Sequence, residues 1–156
     1  MGDTYLTREG HKKLLAELDY LRGMKKQLSL DIGEAREKGD LKENAEYHSA
    51  KEKLGEVMGR ISKVQDKLDN AKFIEDLKTP KDTVSIGVKV TLKDEDGDEY
   101  EYALVGEDDS DPANGKISVY SPLAQGLLGK KVGEETLVDL PAGPRRFKVL
   151  KTEPSN

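Results

Sequence analysis

An unbroken heptad pattern in the second quarter of the chain limits its possible folds more than any other feature. Its apolar positions step alternately by three and four residues: Tyr47, Ala50, Leu54, Val57, Ile61, Val64, Leu68 and Ala71. This is the period that a coiled coil requires. A helix with a single apolar stripe cannot bury that stripe alone, so the sequence predicts a long helix with a helical partner.

The preceding segment supplies that partner. From Thr7 onward the sequence reads as helix, with Lys25 in one position of an otherwise apolar stripe: Leu14, Leu18, Leu21, Leu28, Ile32 and Ala35. Only a few residues around Gly39 connect the two segments, so the helices must run antiparallel as a hairpin. With roughly 30 residues in each helix, we expect a hairpin on the order of 45 Å long.

The composition agrees with a helical hairpin whose surface is mostly exposed to solvent. Of the 156 residues, 37% are charged and 35% are hydrophobic, which is more charge than a compact globule usually carries. The net charge of -5 leaves no overall basic field with which to hold nucleic acid. The chain has no Cys, no signal-peptide pattern and no apolar run long enough for a membrane span. We therefore expect a soluble, cytoplasmic protein.

The period changes to two after Pro80, which cannot continue a helix. We place the domain boundary there, with a coiled-coil domain at residues 1–78 and a globular domain at 79–156. Alternating patterns and turn residues predict strands in the second domain: 84–92, 99–105, 116–120, 135–140 and 145–150. The predicted fold class is therefore α+β, a long antiparallel helical hairpin followed by a small antiparallel sheet.

One short helix is predicted between these strands. Ser121 suits its N-cap, Pro122 its first helical position, and Gly129 the position past its end. The acidic run at 107–111 lies in a turn-rich region without the spacing of an EF-hand loop, and we expect it to be a solvated loop. The globular half has no His, no Cys and no Gly-rich phosphate loop, so it offers little for catalysis.

The predicted tip of the hairpin, GDLKENAEYH at residues 39–48, supports two interpretations. Asp40 and Glu43 have the spacing of a capping box for the second helix, and Gly39 suits the left-handed residue that ends the first. The same two carboxylates are also enough for a shared Mg²⁺ site, because Mg²⁺ usually takes one or two carboxylates and keeps several waters. A positive helix N-terminus opposes a cation, so a second macromolecule would have to complete such a site.

At this point the sequence resembles a known family. The string from Gly39 to His48 looks like the tip signature of the Gre transcript-cleavage factors, most of all the GreA type. A second string, SPL at 121–123 followed by LLGKKVG at 127–133, also matches that family, so the resemblance covers nearly the whole chain. It implies a coiled coil inserted through the secondary channel of bacterial RNA polymerase, and a globular domain similar to FKBP-type folds docked at the channel entrance.

The resemblance also implies roles for individual residues. Asp40 and Glu43 would be catalytic, holding a Mg²⁺ jointly with the polymerase beside the nascent RNA 3′ end of a backtracked complex. The protein would thus be an accessory factor rather than an enzyme, a monomer when free. The resemblance implies that four further residues support the tip: Asn44, Glu46, Tyr47 and His48. It implies RNA or pore contacts for Arg36, Lys38 and Lys42, and polymerase docking for Ser121, Pro122 and Leu123.

Three alternatives remain open. One is a secondary-channel inhibitor of the same fold, which the spacing of Asp40 and Glu43 disfavours. Another is an FKBP-like peptidyl-prolyl isomerase or chaperone, which needs an aromatic pocket where this half has few aromatic residues. The third is a plain coiled-coil adaptor. Gln125 and the hairpin at 143–146 depart from the family pattern and leave the docking details open.

Overall fold

The computed structural model describes residues 3–39 and 44–155, which form two compact units. The first unit is built from the chain between His11 and Ala71, and the second combines Thr4–Gly10 with the chain from Lys72 onward. This division differs from the predicted boundary near residue 78. The reason is a two-stranded sheet, β1 (Thr4–Leu6) paired with β2 (Ala71–Phe73), which the sequence analysis missed.

The first unit is the predicted helical hairpin. Helix α1 spans Arg8–Glu37, its first turn lying in the second unit, and α2 spans Ala45–Asp69. With 25 residues, α2 is shorter than expected, about 38 Å at 1.5 Å per residue. Neither helix, over its described length, is apolar enough to cross a membrane.

Both predicted stripes face inward. Most of their members are buried or half-buried: Leu14, Leu18, Leu21, Leu28, Ile32 and Ala35 in α1, and Tyr47, Ala50, Leu54, Val57, Ile61, Val64 and Leu68 in α2. Ala71, which completes the predicted stripe, is half-buried in β2. Lys25 stays exposed, as a cation at a seam position should.

Contacts at two levels confirm that the helices are antiparallel. Ile32 and Ala35, near the end of α1, pack against Tyr47 at the start of α2. Farther along, Arg60 Nε donates to Glu17 Oε1 at 2.7 Å and Arg60 Nη2 donates to Glu17 Oε2 at 3.1 Å. This hydrogen-bonded pair holds the pKa of Glu17 below its usual range, although burial acts in the opposite direction.

The second unit contains a five-stranded sheet in the order β5-β4-β3-β7-β6. Its strands are β3 (Val88–Asp94), β4 (Glu99–Val105), β5 (Lys116–Ser118), β6 (Glu135–Leu140) and β7 (Gly143–Pro154). The predicted neighbouring strands pair as the antiparallel hairpins β3–β4 and β6–β7. The sheet is not purely antiparallel, however, because β5 runs parallel to β4. Two short 3-10 turns, at Glu107–Asp109 and Pro112–Asn114, lie in the connection between β4 and β5. This longer connection lets β5 run parallel to β4, which a tight hairpin would not allow.

Helix α3 (Pro122–Leu127) covers one face of this sheet. It has the predicted caps, since Ser121 Oγ accepts from the Ala124 amide at 3.3 Å and Gly129 follows with a φ of 83°. Its Ala124 and Leu127 are fully buried among residues of all five strands: Val90, Leu92, Leu104, Ile117, Val138, Phe147 and Val149. The other face of the sheet carries charged side chains.

Candidate site at the tip of the helical hairpin

Helix α1 ends next to the candidate site in the way the sequence predicts. The amide of Lys38 donates to the Ala35 carbonyl at 3.2 Å, and the amide of Gly39 donates to the Arg36 carbonyl at 3.4 Å. Gly39 then has a φ of 109°, in the region that favours glycine, and nothing occupies the space of its missing side chain. The predicted helix stop at Gly39 is therefore confirmed.

The cap of α2 is not the predicted one. Helix α2 begins at Ala45, and its N-cap is Asn44, whose Oδ1 accepts from the Tyr47 amide at 3.1 Å. The predicted capping box, with Asp40 at the N-cap, is therefore wrong. Asn and Asp cap helices about equally well, so the spacing of Asp40 and Glu43 alone did not identify the residue that starts the helix.

Three predicted tip residues, Asp40, Lys42 and Glu43, lie outside the described residues. On the described flanks, Glu46 and His48 are exposed in the first turn of α2, and Arg36 and Lys38 are exposed at the end of α1. Within residues 3–39 and 44–155 no group of three or more His, Cys, Asp or Glu side chains is arranged to hold a metal ion. The described residues on either side of positions 40–43 thus supply cations, single carboxylates and single polar groups.

Tyr47 connects the apolar seam to these cations. Its ring is 8% exposed within the Ile32–Ala35 cluster, and the Lys51 Nζ lies 5.4 Å from the ring centroid. Burial raises the pKa of the phenol, but hydrogen bonds and charge from Arg36 and Lys51 outweigh it and lower the Tyr47 pKa below its usual value. Tyr47 therefore occupies the core position that the heptad pattern predicts and also contacts two cations.

Two grooves flank the seam beside the tip, and they differ in charge. One, of about 580 Å³, is bordered by three carboxylates (Asp31, Glu34, Glu46) and two lysines (Lys38, Lys53). The other, of about 400 Å³, is bordered by Arg36 and Lys51 without a carboxylate among its lining residues. An anionic strand that reaches this end of the hairpin would therefore meet attraction on one side and mixed charge on the other.

The second predicted site is the segment that starts α3. Pro122 is exposed, while Ser121 and Leu123 are half-buried, with Leu123 packed on the core of the sheet. Gln125, the departure from the family pattern, donates from Nε2 to the Val119 carbonyl at 2.6 Å. It therefore fixes the backbone just before Tyr120, which is 71% exposed.

The expected hairpin at 143–146 was the other departure, but these residues lie within β7 and the turn between β6 and β7 is at 141–142. Arg145 pairs with Asp94, whose carboxylate also accepts from the Asp96 and Asp98 amides at 3.0 and 2.9 Å. Tyr100 Oη donates to the same carboxylate at 3.2 Å. This network joins the turn after β3 to the start of β7, so the unusual hairpin has a structural partner.

Asp109 is a residue that sequence reasoning missed. The acidic run at 107–111 was expected to be a solvated loop, but Asp109 accepts from the Thr7 amide and hydroxyl, and this expectation was wrong for it. Glu75 likewise accepts from the Arg8 amide at 3.0 and 3.1 Å. Thr7 before a helical pattern is a recognisable N-cap signal, and its Oγ1 does accept from the Gly10 amide at 2.9 Å. Nothing local indicates its distant acidic partners.

Comparison with known proteins covers both units. The family model described as "Transcription elongation factor, N-terminal" matches residues 4–73, and "Transcription elongation factor, GreA/GreB, C-term" matches residues 79–154. Proteins named transcription elongation factor GreA from Hyphomonas neptunium and Bacillus licheniformis are 47% and 45% identical to this chain over 148 residues, 94% of each chain. A solved structure of the GreA factor homolog 1 (Gfh1) protein of Thermus thermophilus is 25% identical, with a TM-score of 0.44, covering 97% of this chain and 99% of its own.

The two family models together match most of the chain in both structural units. By these matches, this chain belongs to the GreA/GreB family of transcription elongation factors.

Proposed function

We propose that this elongation factor enters the secondary channel of bacterial RNA polymerase and stimulates endonucleolytic cleavage at the nascent RNA 3′ end of backtracked transcripts. The observation that carries the proposal is the GDLKENAEYH string at the turn of a helical hairpin. Helix α2, about 38 Å long, gives the hairpin the elongated form expected of a segment that enters a channel.

In this proposal the protein is an accessory factor, and the polymerase supplies most of the hydrolytic site. Asp40 and Glu43 would hold one Mg²⁺ jointly with the polymerase. When bound there, Mg²⁺ would lower the pKa of a water and stabilise charge on the phosphate that is attacked. Asp40 and Glu43 lie between the two long helices in the sequence and would contribute negative charge there.

The flanks described above would position the RNA end. Arg36 and Lys51 border the same groove and lie beside Tyr47, so they present two cations close to the turn. Lys38 on α1 and Lys42 in the tip string would add to them. Asn44 would hold the first turn of α2 in place, and Ser121, Pro122 and Leu123 would dock the globular unit on the polymerase. We further propose that the free protein is a cytoplasmic monomer.

The experiment is a cleavage assay with stalled, backtracked polymerase complexes and Mg²⁺, using Asp40→Asn and Glu43→Gln. Because Asn44 supplies the observed cap, neither substitution removes the hydrogen bond that starts α2, and we expect unchanged melting temperatures. Stimulation of cleavage should be almost abolished while polymerase binding is kept. Glu52→Gln, which removes an exposed carboxylate about two turns into α2, is the matched control and should stimulate like the parent.

If both tip variants stimulate cleavage as the parent does, the proposed mechanism is wrong. A parent protein that binds the polymerase and fails to stimulate cleavage would instead identify the inhibitor that the sequence analysis left open.

A further inference from the structure

The outer face of the sheet, opposite α3, carries rows of charged side chains. The lysines at one end form ion pairs with carboxylates of the sheet, whereas the cations at the other end, within the described part of the chain, do not. At one end Lys89 Nζ lies 3.4 Å from Glu101 and 4.0 Å from Glu153, and Lys151 Nζ lies 3.6 Å from Glu153. These cations are neutralised within the sheet itself. That end of the face has the arrangement expected of a solvated surface.

The other end carries three exposed cations: Lys93, Arg146 and Lys148. Lys93 on β3 and Lys148 on β7 are direct register partners, so two like charges stand opposite each other. Like charges in that position destabilise a sheet. Across residues 3–39 and 44–155, no carboxylate forms an ion pair with any of the three, although Glu135 is the register partner of Lys148.

A shallow groove and an exposed leucine lie at the same place. The groove, of about 300 Å³, is bordered by three cations, Lys93, Arg146 and Lys148, and by the carboxylates of Asp94, Glu95 and Glu135. Leu137 on β6 is the register partner of Arg146 and is 56% exposed. The surface therefore offers three exposed cations that form no ion pair within the described residues, beside one apolar contact, a combination that favours a specific partner over bulk water.

We propose that Lys93, Arg146, Lys148 and Leu137 form a docking surface for an acidic protein segment of RNA polymerase, separate from the Ser121–Leu123 segment. The identity of the partner rests on the function proposed above. Carboxylates of the partner would pair with the three cations, and an apolar side chain of the partner would cover Leu137.

The surroundings favour a protein segment over nucleic acid. Glu95 and Glu135 border the groove, and Glu99 is the register partner of Lys93. An extended phosphate backbone carries one charge per nucleotide and would run into these carboxylates, whereas a protein segment can present carboxylates at the centre and other groups at the rim. The net charge of -5 provides no wider field for a polyanion.

The test uses the full chain and purified bacterial core polymerase. The variant is Lys93→Gln with Lys148→Gln, and the matched control is Lys89→Gln with Lys151→Gln on the same face. We expect the first pair to weaken polymerase binding about tenfold at physiological ionic strength and to reduce its salt dependence, and the control to bind within about twofold of the parent. Because Lys93→Gln with Lys148→Gln removes a repulsion, its melting temperature should not fall. Leu137→Ser should also weaken binding without any change in charge.

Cleavage at saturating protein should be unchanged in all of these variants, which separates docking from the chemistry at the tip. Equal binding by the parent and the Lys93→Gln, Lys148→Gln variant would overturn the inference. The inference would also be overturned if this variant bound polymerase normally and had lost only binding to a duplex DNA probe. The same holds if it had lost only self-association, measured by sedimentation. Failure of the parent itself to bind polymerase would instead count against the proposed function.

Discussion

The carboxylate of Asp109 accepts two hydrogen bonds from Thr7, one from the backbone amide at 2.8 Å and one from the hydroxyl at 2.7 Å, across 102 residues of sequence. Asp109→Ala leaves the half-buried Thr7 amide without this acceptor, so we expect a loss of about 1–2 kcal/mol in the free energy of unfolding. Urea denaturation measures it. Asp109→Asn retains an acceptor oxygen and should lose less.

Gly10→Ala offers an independent check of the same contact. A side chain at Gly10 would collide with the Asp109 carboxylate, so this substitution should also destabilise the protein, although alanine favours helices. Equal stability of the Asp109→Ala variant and the parent would show that the contact with Thr7 contributes nothing.

Asn44→Ala should destabilise the start of α2. The substitution removes the side-chain acceptor for the Tyr47 amide and should cost about 1 kcal/mol, because alanine is a poor N-cap. Hydrogen exchange at the Tyr47 amide should become faster while exchange in the middle of α2 stays the same. Asn44→Asp keeps an acceptor and serves as the control. A slower or unchanged exchange rate in the alanine variant would contradict the assigned cap.

Asp94 should make the stability of the globular unit depend on pH in the acidic range. Burial raises its pKa, but the Asp98 amide, the Tyr100 hydroxyl, the Asp96 amide and the Arg145 charge together lower it below the usual carboxyl value. A lowered folded-state pKa means that the stabilisation is present above the ordinary carboxyl pKa and is lost as pH falls through the folded-state value. Asp94→Asn should therefore lower the melting temperature at pH 7, and its difference from the parent should shrink below about pH 4. A difference that stays constant from pH 7 to pH 2 would refute this.

Gly126 and Gly55 should respond oppositely to alanine. A Cβ at Gly126 would lie 2.8 Å from both methyl carbons of Val138, so Gly126→Ala should cost about 1–3 kcal/mol by overpacking α3 against β6. At Gly55, inside α2, nothing lies within 4 Å, and Gly55→Ala should stabilise by about 0.5–1 kcal/mol. Thermal unfolding of the two variants measures both signs. Stabilisation by Gly126→Ala would mean that α3 does not pack as closely as described.

Tyr47 should ionise at lower pH than an ordinary tyrosine. Absorbance titration of the six tyrosines should contain an early component that disappears in Tyr47→Phe and persists in Tyr20→Phe, since Tyr20 is 68% exposed. Because the folded-state pKa is lowered, the parent should gain stability relative to Tyr47→Phe as the pH rises through that value toward the unfolded-state pKa, near pH 10. An early component that persists in Tyr47→Phe, or that is absent from the parent, would contradict the contact with Arg36.

The long-period features of this chain were predictable, and the short or distant ones were not. The heptad repeat of α2 and the Ser-Pro start of α3 depend on residues that are close together in the sequence. Their spacing and capping chemistry therefore predict the local structure. The strands β1 and β2 have three residues each, too few to show a period of two. The parallel direction of β5 depends on how the chain turns between residues 107 and 114, which alternation does not encode.

The candidate site shows the same division. The position of Gly39 and the inward side of Tyr47 followed from helix geometry. The choice of Asn44 over Asp40 as the cap could not be made from spacing, since both residue types cap well. The cations that reach the Tyr47 phenol come from both helices, and only the register of the hairpin brings Arg36 and Lys51 together.

The place of β7 in the sheet has a consequence for biosynthesis. This strand lies between β3 and β6, although it is the last strand of the described chain. Thr7 leaves the ribosome early, and its hydrogen-bond acceptor Asp109 follows about 5–20 s later at ordinary translation rates. Until β7 emerges, β3 has a partner on one side only, and its open edge can pair with other nascent chains. The interval between translation of residues 94 and 154 is therefore when this protein most needs protection from aggregation.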